Sequence, residues 1–248
     1  MTYLNLKEKR AMNRTLTAFI AAIAIVTLGG LEQAVAKGGG ILSGTITYDG
    51  DAPKNKVKKL DEENAKTCKC EQIEACDLRI DKESKGIANV VVEIIGAGPD
   101  WKSSGQKAAM DQKGCVFIPH IVVVPPGAEV LLKNSDEVLH NVKTTTMLNP
   151  AFNEGIPAGS SATKKFDIPE KVKIGCDVHP WMGAWVIVTK ASYHAVTDDK
   201  GKFEIKDVPP GKYKVRFWHE KLGQVEKELE IAEGGKTDGS VALKKESK

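Results

Sequence analysis

The chain has 248 residues, 41% of them hydrophobic and 28% charged, a balance that suits a globular protein of one large domain or two ordinary ones and excludes a disordered chain. Its 36 Lys and Arg against 33 Asp and Glu leave a formal charge of +3, which excludes a general electrostatic nucleic-acid binder. The sequence lacks any apolar run of roughly 18 residues, so a multi-spanning membrane protein is excluded as well.

The first 36 residues read as an export address. Lys7, Lys9, Arg10 and Arg14 form a basic leader, Leu16–Leu28 is an apolar core, and Ala34-Val35-Ala36 offers small residues for cleavage. Residues 1–36 are therefore expected to be a Sec-type signal peptide, giving a periplasmic or secreted protein with no stable membrane insertion afterwards. The alternative is an uncleaved N-terminal anchor, but the apolar core would reach only about 20 Å of a roughly 30 Å hydrocarbon layer. Cleavage would leave 32 basic against 31 acidic residues, so partner choice falls to local patches.

The mature chain reads as β almost throughout. Ile46–Tyr48 precedes an Asp-Gly turn signal. Residues 51–72 are Lys-rich and polar and read as a long solvated connection, with a weak helical hint around Asp61–Ala65. Asn89–Ile95 is a β-branched run, followed by a loop over 96–106. Further strands are predicted at Val116–Ile118, Ile121–Val124, Glu129–Lys133, Thr163–Asp167, Lys171–Ile174 and Ala184–Lys190. Lys202–Ile205, Lys212–Trp218, Val225–Ile231 and Ser240–Leu243 complete the series. Short strands at even spacing with Gly and Pro between them indicate β-sandwiches or barrels. Neither a G-x-G-x-x-G after a strand nor a P-loop is present, so nucleotide chemistry has no support.

Chemistry concentrates in Ile174–Val188, IGCDVHPWMGAWVIV, where Cys176, His179 and Met182 stand at C-x2-H-x2-M. His140 lies upstream, 36 residues before the cysteine. Standing alone, a His would be a satisfied polar residue, a Met core filler and an exported Cys half of a disulfide. Together, one thiolate, two imidazoles and a thioether are the ligand set of a blue-copper electron-transfer site, soft enough for Cu(I) and acceptable to Cu(II). The other cysteines, Cys68, Cys70, Cys76 and Cys115, are candidate disulfide partners with three possible pairings, or a second metal site with His120. The absence of C-x-x-C-H excludes covalently attached c-type haem. His194 and the pair His219-Glu220 read as solvated strand or loop residues.

Over roughly Ala108–Lys190 the sequence resembles the cupredoxin family, most closely its amicyanin members, through PPGAEVLLKNSDEVLHNV, ATKKFDIPEKVKIGC and CDVHPWMGAWVIV. The resemblance implies one type-1 copper held by His140, Cys176, His179 and, axially, Met182. It implies that Asn141 ties the two ligand loops together and that Asn134 matches a family Asn on the preceding strand. It also implies that His179 reaches the surface through an apolar patch of Pro180, Trp181 and Met182, with Pro157 and Phe152, where a redox partner docks. The alternative for Trp181 is packing onto its own domain. Pro180, which lacks an N–H, suits a loop whose His179 leaves reduced copper and protonates at low pH.

Downstream, Thr197, Asp198, Gly201 and Phe203 (T-D-x-x-G-x-F) and Pro209, Pro210, Gly211 and Tyr213 (P-P-G-x-Y) are similar to carboxypeptidase regulatory-like, transthyretin-like modules. SGTITYDGDAP and GIANVVVEI look like early strands of that module. Chains with both pieces in this order are grouped as plastocyanin-like or methylamine-utilisation proteins. The expected fold is all-β: a cupredoxin Greek-key sandwich plus a second, transthyretin-like (Ig-like) sandwich. The divisions are 37–106 for an N-terminal β region and linker, 107–190 for the cupredoxin and 191–248 for the second module. Either the cupredoxin is inserted into one interrupted sandwich, or the domains follow one another. The function expected is single-electron transfer between protein redox partners, such as a c-type cytochrome or a dehydrogenase, and not an enzyme. The alternatives are copper delivery or assembly, and a copper-based small-molecule sensor or enzyme.

Overall fold

The computed structural model describes residues 38–105 and 107–245, so the expected signal peptide lies outside the described residues. Nineteen strands and one short helix are found there. No helix among the described residues is long and apolar enough to cross a membrane.

In chain order, β1 (Gly40–Tyr48) leads into a small unit of β2 (Val57–Lys59), α1 (Glu62–Cys68) and β3 (Gln72–Glu74), and then β4 (Val91–Ile95). Next come β5 (Lys107–Gln112), β6 (Phe117–Ile118), β7 (Ile121–Val124), β8 (Ala128–Asn134) and β9 (His140–Thr145). These are followed by β10 (Asn153–Ile156), β11 (Ser161–Phe166), β12 (Glu170–Gly175) and β13 (Gly183–Val188). The chain ends with β14 (Tyr193–Val196), β15 (Lys202–Val208), β16 (Gly211–His219), β17 (Gly223–Ile231), β18 (Lys236–Asp238) and β19 (Val241–Leu243).

These strands make two sandwiches. In the central one, the sheet β10-β9-β12-β13-β7 faces β11-β8-β5-β6 over a core that includes Met110, Leu132, Val142, Phe166 and Ile174. In the outer one, β14-β4-β16-β17 faces β15-β1-β18, with β19 also paired to β1, over Leu42, Ile46, Ile94, Phe203 and Phe217. The outer sandwich draws strands from both sides of the central one. Val92 pairs with Ala195 and with Phe217, Thr45 pairs with Lys202, and Ile46 pairs with Val241. The chain therefore leaves the outer sandwich after β4, builds the central one, and returns as β14 beside the strand it left.

The β-branched runs explain how the sandwiches meet. Side chains alternate faces along a strand, so a run that is apolar on both faces has two cores to fill. In β4, Val92 and Ile94 enter the outer core while Val91 points the other way. In β7 and β13, Val122, Val124, Val186 and Val188 enter the central core while Ile121 and Ile187 point outward. The outward set packs with Trp218 into a joint, where the Trp185 and Trp218 rings stand edge to face at 5.1 Å. Glu93, on the joint face of β4, accepts from Thr189 Oγ1 at 2.5 Å and lies 3.8 Å from Arg216.

The T-D-x-x-G turn shows why its residue types are needed. Thr197 Oγ1 donates to Ile87 O and accepts from Val90 N–H, while Asp198 Oδ1 accepts from the amides of Lys200 and Lys202. Gly201 has φ +74, and a Cβ there would come within 2.3 Å of Ile46 O.

Residues 51–72 are largely exposed, as their composition suggests, and the helical hint is realised as α1, but the connection is folded onto the central sandwich. Asp61 caps α1 by accepting from Asn64 N–H, and Lys69 closes it in the left-handed conformation. The segment buries Cys68 in the central core, with Leu60 and Cys70 packed against it, and Ile73 just beyond it is buried there too. Few apolar residues suffice because the hairpin and helix lie on a core already built by others.

Candidate metal centre

His140 opens β9, and Cys176 directly follows β12. Those strands are neighbours, with Gly175 opposite Lys143. The β12–β13 pair closes at Gly175 opposite Gly183, so residues 176–182 form the loop between them. Strand register thus brings His140 to Cys176 and His179: one donor atom of each lies within 4.8 Å of the others, and all three residues are buried. The Nδ1 atoms of His140 and His179 face each other at 2.9 Å. Met182 is buried, and its N–H returns to His179 O at 2.9 Å, holding the loop closed.

The surrounding hydrogen bonds fix these side chains. Asn141 Oδ1 accepts from Cys176 Sγ–H at 3.2 Å, Asp177 N–H at 2.8 Å and Val178 N–H at 3.4 Å, joining the two ligand-bearing segments. Asn134 is buried and donates from Nδ2 to Val138 O and Ile156 O, which shapes the turn ahead of His140. His140 Nε2 meets Asp136 Oδ2 at 2.9 Å, and Asp136 also accepts from the amides of Gly114 and Cys115. A carboxylate on the far ring nitrogen orients a histidine ligand and raises its basicity. Sequence reading missed Asp136; the available signal was a carboxylate four residues before a ligand-type histidine.

Electrostatics follow from these contacts. Burial alone pushes the Cys176 thiol up, but the His140 ring and the backbone at Asn141, His179 and Val178 outweigh it and hold the thiol below its ordinary value. Burial likewise pulls His140 down, but hydrogen bonds to Cys176 and Asp136 outweigh it and leave His140 raised. His179 is lowered by burial and then by the His140 charge. Asp136 is lowered: burial opposes this, and the Cys115 amide, His140 and the Gly114 amide overcome it.

The residues fit a soft transition-metal ion. Two imidazole nitrogens on one four-coordinate ion, each about 2.0 Å from it, lie roughly 3 Å apart, and the observed 2.9 Å needs little adjustment. The donors are one thiol biased toward thiolate and two imidazoles, with a thioether in the same loop.

Several sequence expectations need correction. His179 does not reach the surface; it is only 3% exposed. Its ring nitrogen lies within 4.8 Å of both sulfurs of a disulfide between Cys68 and Cys115, which α1 brings over the loop. Cys70 and Cys76 are free. His120 joins no cysteine site. Its Nε2 meets Glu220 at 2.5 Å across the joint, because β16 delivers that carboxylate. His219 and Glu220 are therefore not solvated: the Glu220 side chain is 9% exposed and His219 is 1% exposed. His194 is half-buried, stacked on Trp101 at 4.6 Å, with Nδ1 bonded to Ala191 O.

The expected docking residues are placed as follows. Trp181 is half-buried; its Nε1–H donates to Cys115 O at 3.2 Å and Lys58 lies over its ring. Phe152 is half-buried against Phe166 with Lys164 above it, while Pro157 and Pro180 are exposed. Exposed apolar side chains also precede each histidine, namely Leu139 before His140 and Val178 before His179.

Residues 177–244 match the carboxypeptidase regulatory-like domain family. No curated protein matches the chain. Among solved structures it is similar to a purple cupredoxin from Nitrosopumilus maritimus at 22% identity, covering 33% of this chain and 99% of that one with a TM-score of 0.30. A copper-containing nitrite reductase from Thermus scotoductus matches at 18% identity, over 36% of this chain and 25% of that one, with a TM-score of 0.32. Amicyanin from Paracoccus versutus matches at 19% identity, over 39% of this chain and 96% of that one, with a TM-score of 0.31.

Proposed function

We propose that this chain is an exported blue-copper protein that passes single electrons between protein redox partners. His140, Cys176 and His179 would hold one copper ion, with Met182 as the weak axial ligand. The carrying observation is the convergence of a thiolate-biased Cys176 with two facing imidazole nitrogens in a buried site. When bound, copper supplies a Cu(I)/Cu(II) couple. The chain's own part is to hold the donors still, so that little reorganises between the two states. Asn141 locks the cysteine loop to the first histidine, Asp136 fixes the His140 ring, and burial excludes water.

A protein partner such as a c-type cytochrome or a dehydrogenase would dock at the ligand-loop end of the central sandwich. Leu139, Val178 and Pro180 offer apolar contact there, suited to the small interfaces of electron-transfer encounters, below about 1,200 Å². The expectation of export to the periplasm rests on the basic leader, apolar core and cleavage signal of residues 1–36.

The test is the visible spectrum of the mature protein with one equivalent of Cu(II), beside Cys176→Ser. An intense thiolate-to-copper charge-transfer band is expected in the first and is lost in the second. A colourless complex, or a band that survives Cys176→Ser, would refute the assignment.

A further inference from the structure

The Cys68–Cys115 disulfide belongs to the same buried cluster as the metal-type ligands. Its two sulfurs and a ring nitrogen of His179 all lie within 4.8 Å of one another. The Cys115 sulfur also lies within 4.8 Å of a ring nitrogen of His140 and a carboxylate oxygen of Asp136. Disulfide sulfur is a poor ligand. The two thiolates released by reduction are soft donors that favour Cu(I), and imidazole completes a low-coordinate set. We propose that reduction of Cys68–Cys115 opens a second metal site, in which the thiolates of Cys68 and Cys115 and the ring of His179 bind a cuprous ion. This goes beyond the electron-carrier reading and shares only His179 with it.

The two cysteines are held unequally, which gives the bond a way to open and the site a way to persist. Cys115 is anchored independently of the disulfide: its N–H donates to Asp136 and its carbonyl accepts from Trp181 Nε1–H. Cys68 ends α1, seven residues long, in which it is the one buried residue. A short element with so little buried surface opens locally far more readily than the core. The reductant is a dithiol acting by thiol–disulfide exchange. The protein S–S bond breaks, an S–S bond forms in the dithiol, and two electrons with two protons pass to the cysteine pair. Cuprous binding then releases those two protons.

The test uses the mature chain carrying Cys70→Ser and Cys76→Ser, so that no other free thiol besides Cys176 competes. Cu(I) is titrated anaerobically against a chromogenic cuprous chelator, on the disulfide form and after reduction by a water-soluble phosphine. Because His179 serves one ion at a time, the deciding arm also carries Cys176→Ser, which removes the thiolate of the first site. In that arm reduction is expected to raise the bound cuprous ion by one equivalent, and the rise disappears when Cys68→Ser/Cys115→Ser is added. The Cys176→Ser arm compares one chain in two redox states, so it does not depend on a disulfide-free variant folding. Its circular dichroism is expected to keep the sheet signal after reduction. No rise on reduction, loss of the sheet signal, or a rise that survives Cys68→Ser/Cys115→Ser would overturn the proposal. The carrier reading fails separately, by absence of the charge-transfer band with Cu(II) in the disulfide form.

Discussion

His219 gives the fold a dependence on pH that can be worked out from its surroundings. The residue ends β16 and is 1% exposed. Its Nδ1 accepts from Lys221 N–H at 3.2 Å, while Nε2 has no protein partner. Burial pushes its pKa from 6.5 down to about 4; the charges of Glu220 and Asp77 oppose this, and those of His120 and Lys221 reinforce it. A base whose pKa is depressed by folding takes up its proton first in the unfolded chain. Its stabilising contribution is full above pH 6.5 and is lost as the pH falls toward 4. A shift of that size is worth about 3 kcal/mol across the window, of which about 2 kcal/mol is gone by pH 5. His140 is raised by folding and contributes with the opposite sign, so the total slope is a net effect. His219→Gln isolates the one residue. Urea unfolding of the metal-free protein at pH 7 and pH 5 is expected to show wild type losing about 2 kcal/mol more than the variant between the two. Equal losses would show that His219 is not held neutral by burial, and the reasoning would fail.

Two further outcomes follow from contacts already described. Replacing both Cys68 and Cys115 by Ser removes a cross-link of sequence separation 47 and is expected to lower stability by about 4 kcal/mol; an unchanged urea midpoint without reductant would mean that the bond does not constrain the unfolded chain. Asn141→Ala strips the acceptor from the Asp177 and Val178 amides and is expected to cost about 2 kcal/mol; hydrogen exchange at those two amides should quicken, and unchanged protection there would refute the tie.

Strands that fill two cores were the easiest to read. The runs that became β4, β7 and β13 are β-branched on both faces, and composition alone marks them. By contrast β9 reads HNVKTT, because its leading positions carry site residues instead of core residues, and it was not predicted. The sequence KAAMDQ of β5 has no β-branched residue, yet long pairing with β8 makes it a strand. The connector's two strands were hidden for a different reason: every residue of β2 is exposed, and β3 buries only Ile73, so no apolar alternation marks them. At the candidate metal centre, Cys176, His179 and Met182 share one loop and so appear together in sequence. The meeting of Cys176 and His179 with His140 depends on the β9–β12 register, which no local pattern reveals. The same limit hid the His120–Glu220 contact and the Cys68–Cys115 bond, each made between segments far apart in the chain.

The exposure of His179 shows what that limit means for function. A ligand loop considered by itself, with Pro180 open to solvent, gives a histidine at the surface. Here the cover comes from residues that precede the central sandwich. Cys68 is bonded to Cys115, Lys58 lies over Trp181, and Lys69 pairs with Glu137 at 2.7 Å. The last of these is an exposed pair of little energetic weight, so the cover is held chiefly by the disulfide and by Ile73 in the core. It follows that the central strands alone, without residues 57–74, would leave the His179 ring more accessible than the 3% seen in the full chain. The candidate ligands come from residues 140–182, but their access to solvent is set by a segment, residues 57–74, that precedes them in the chain.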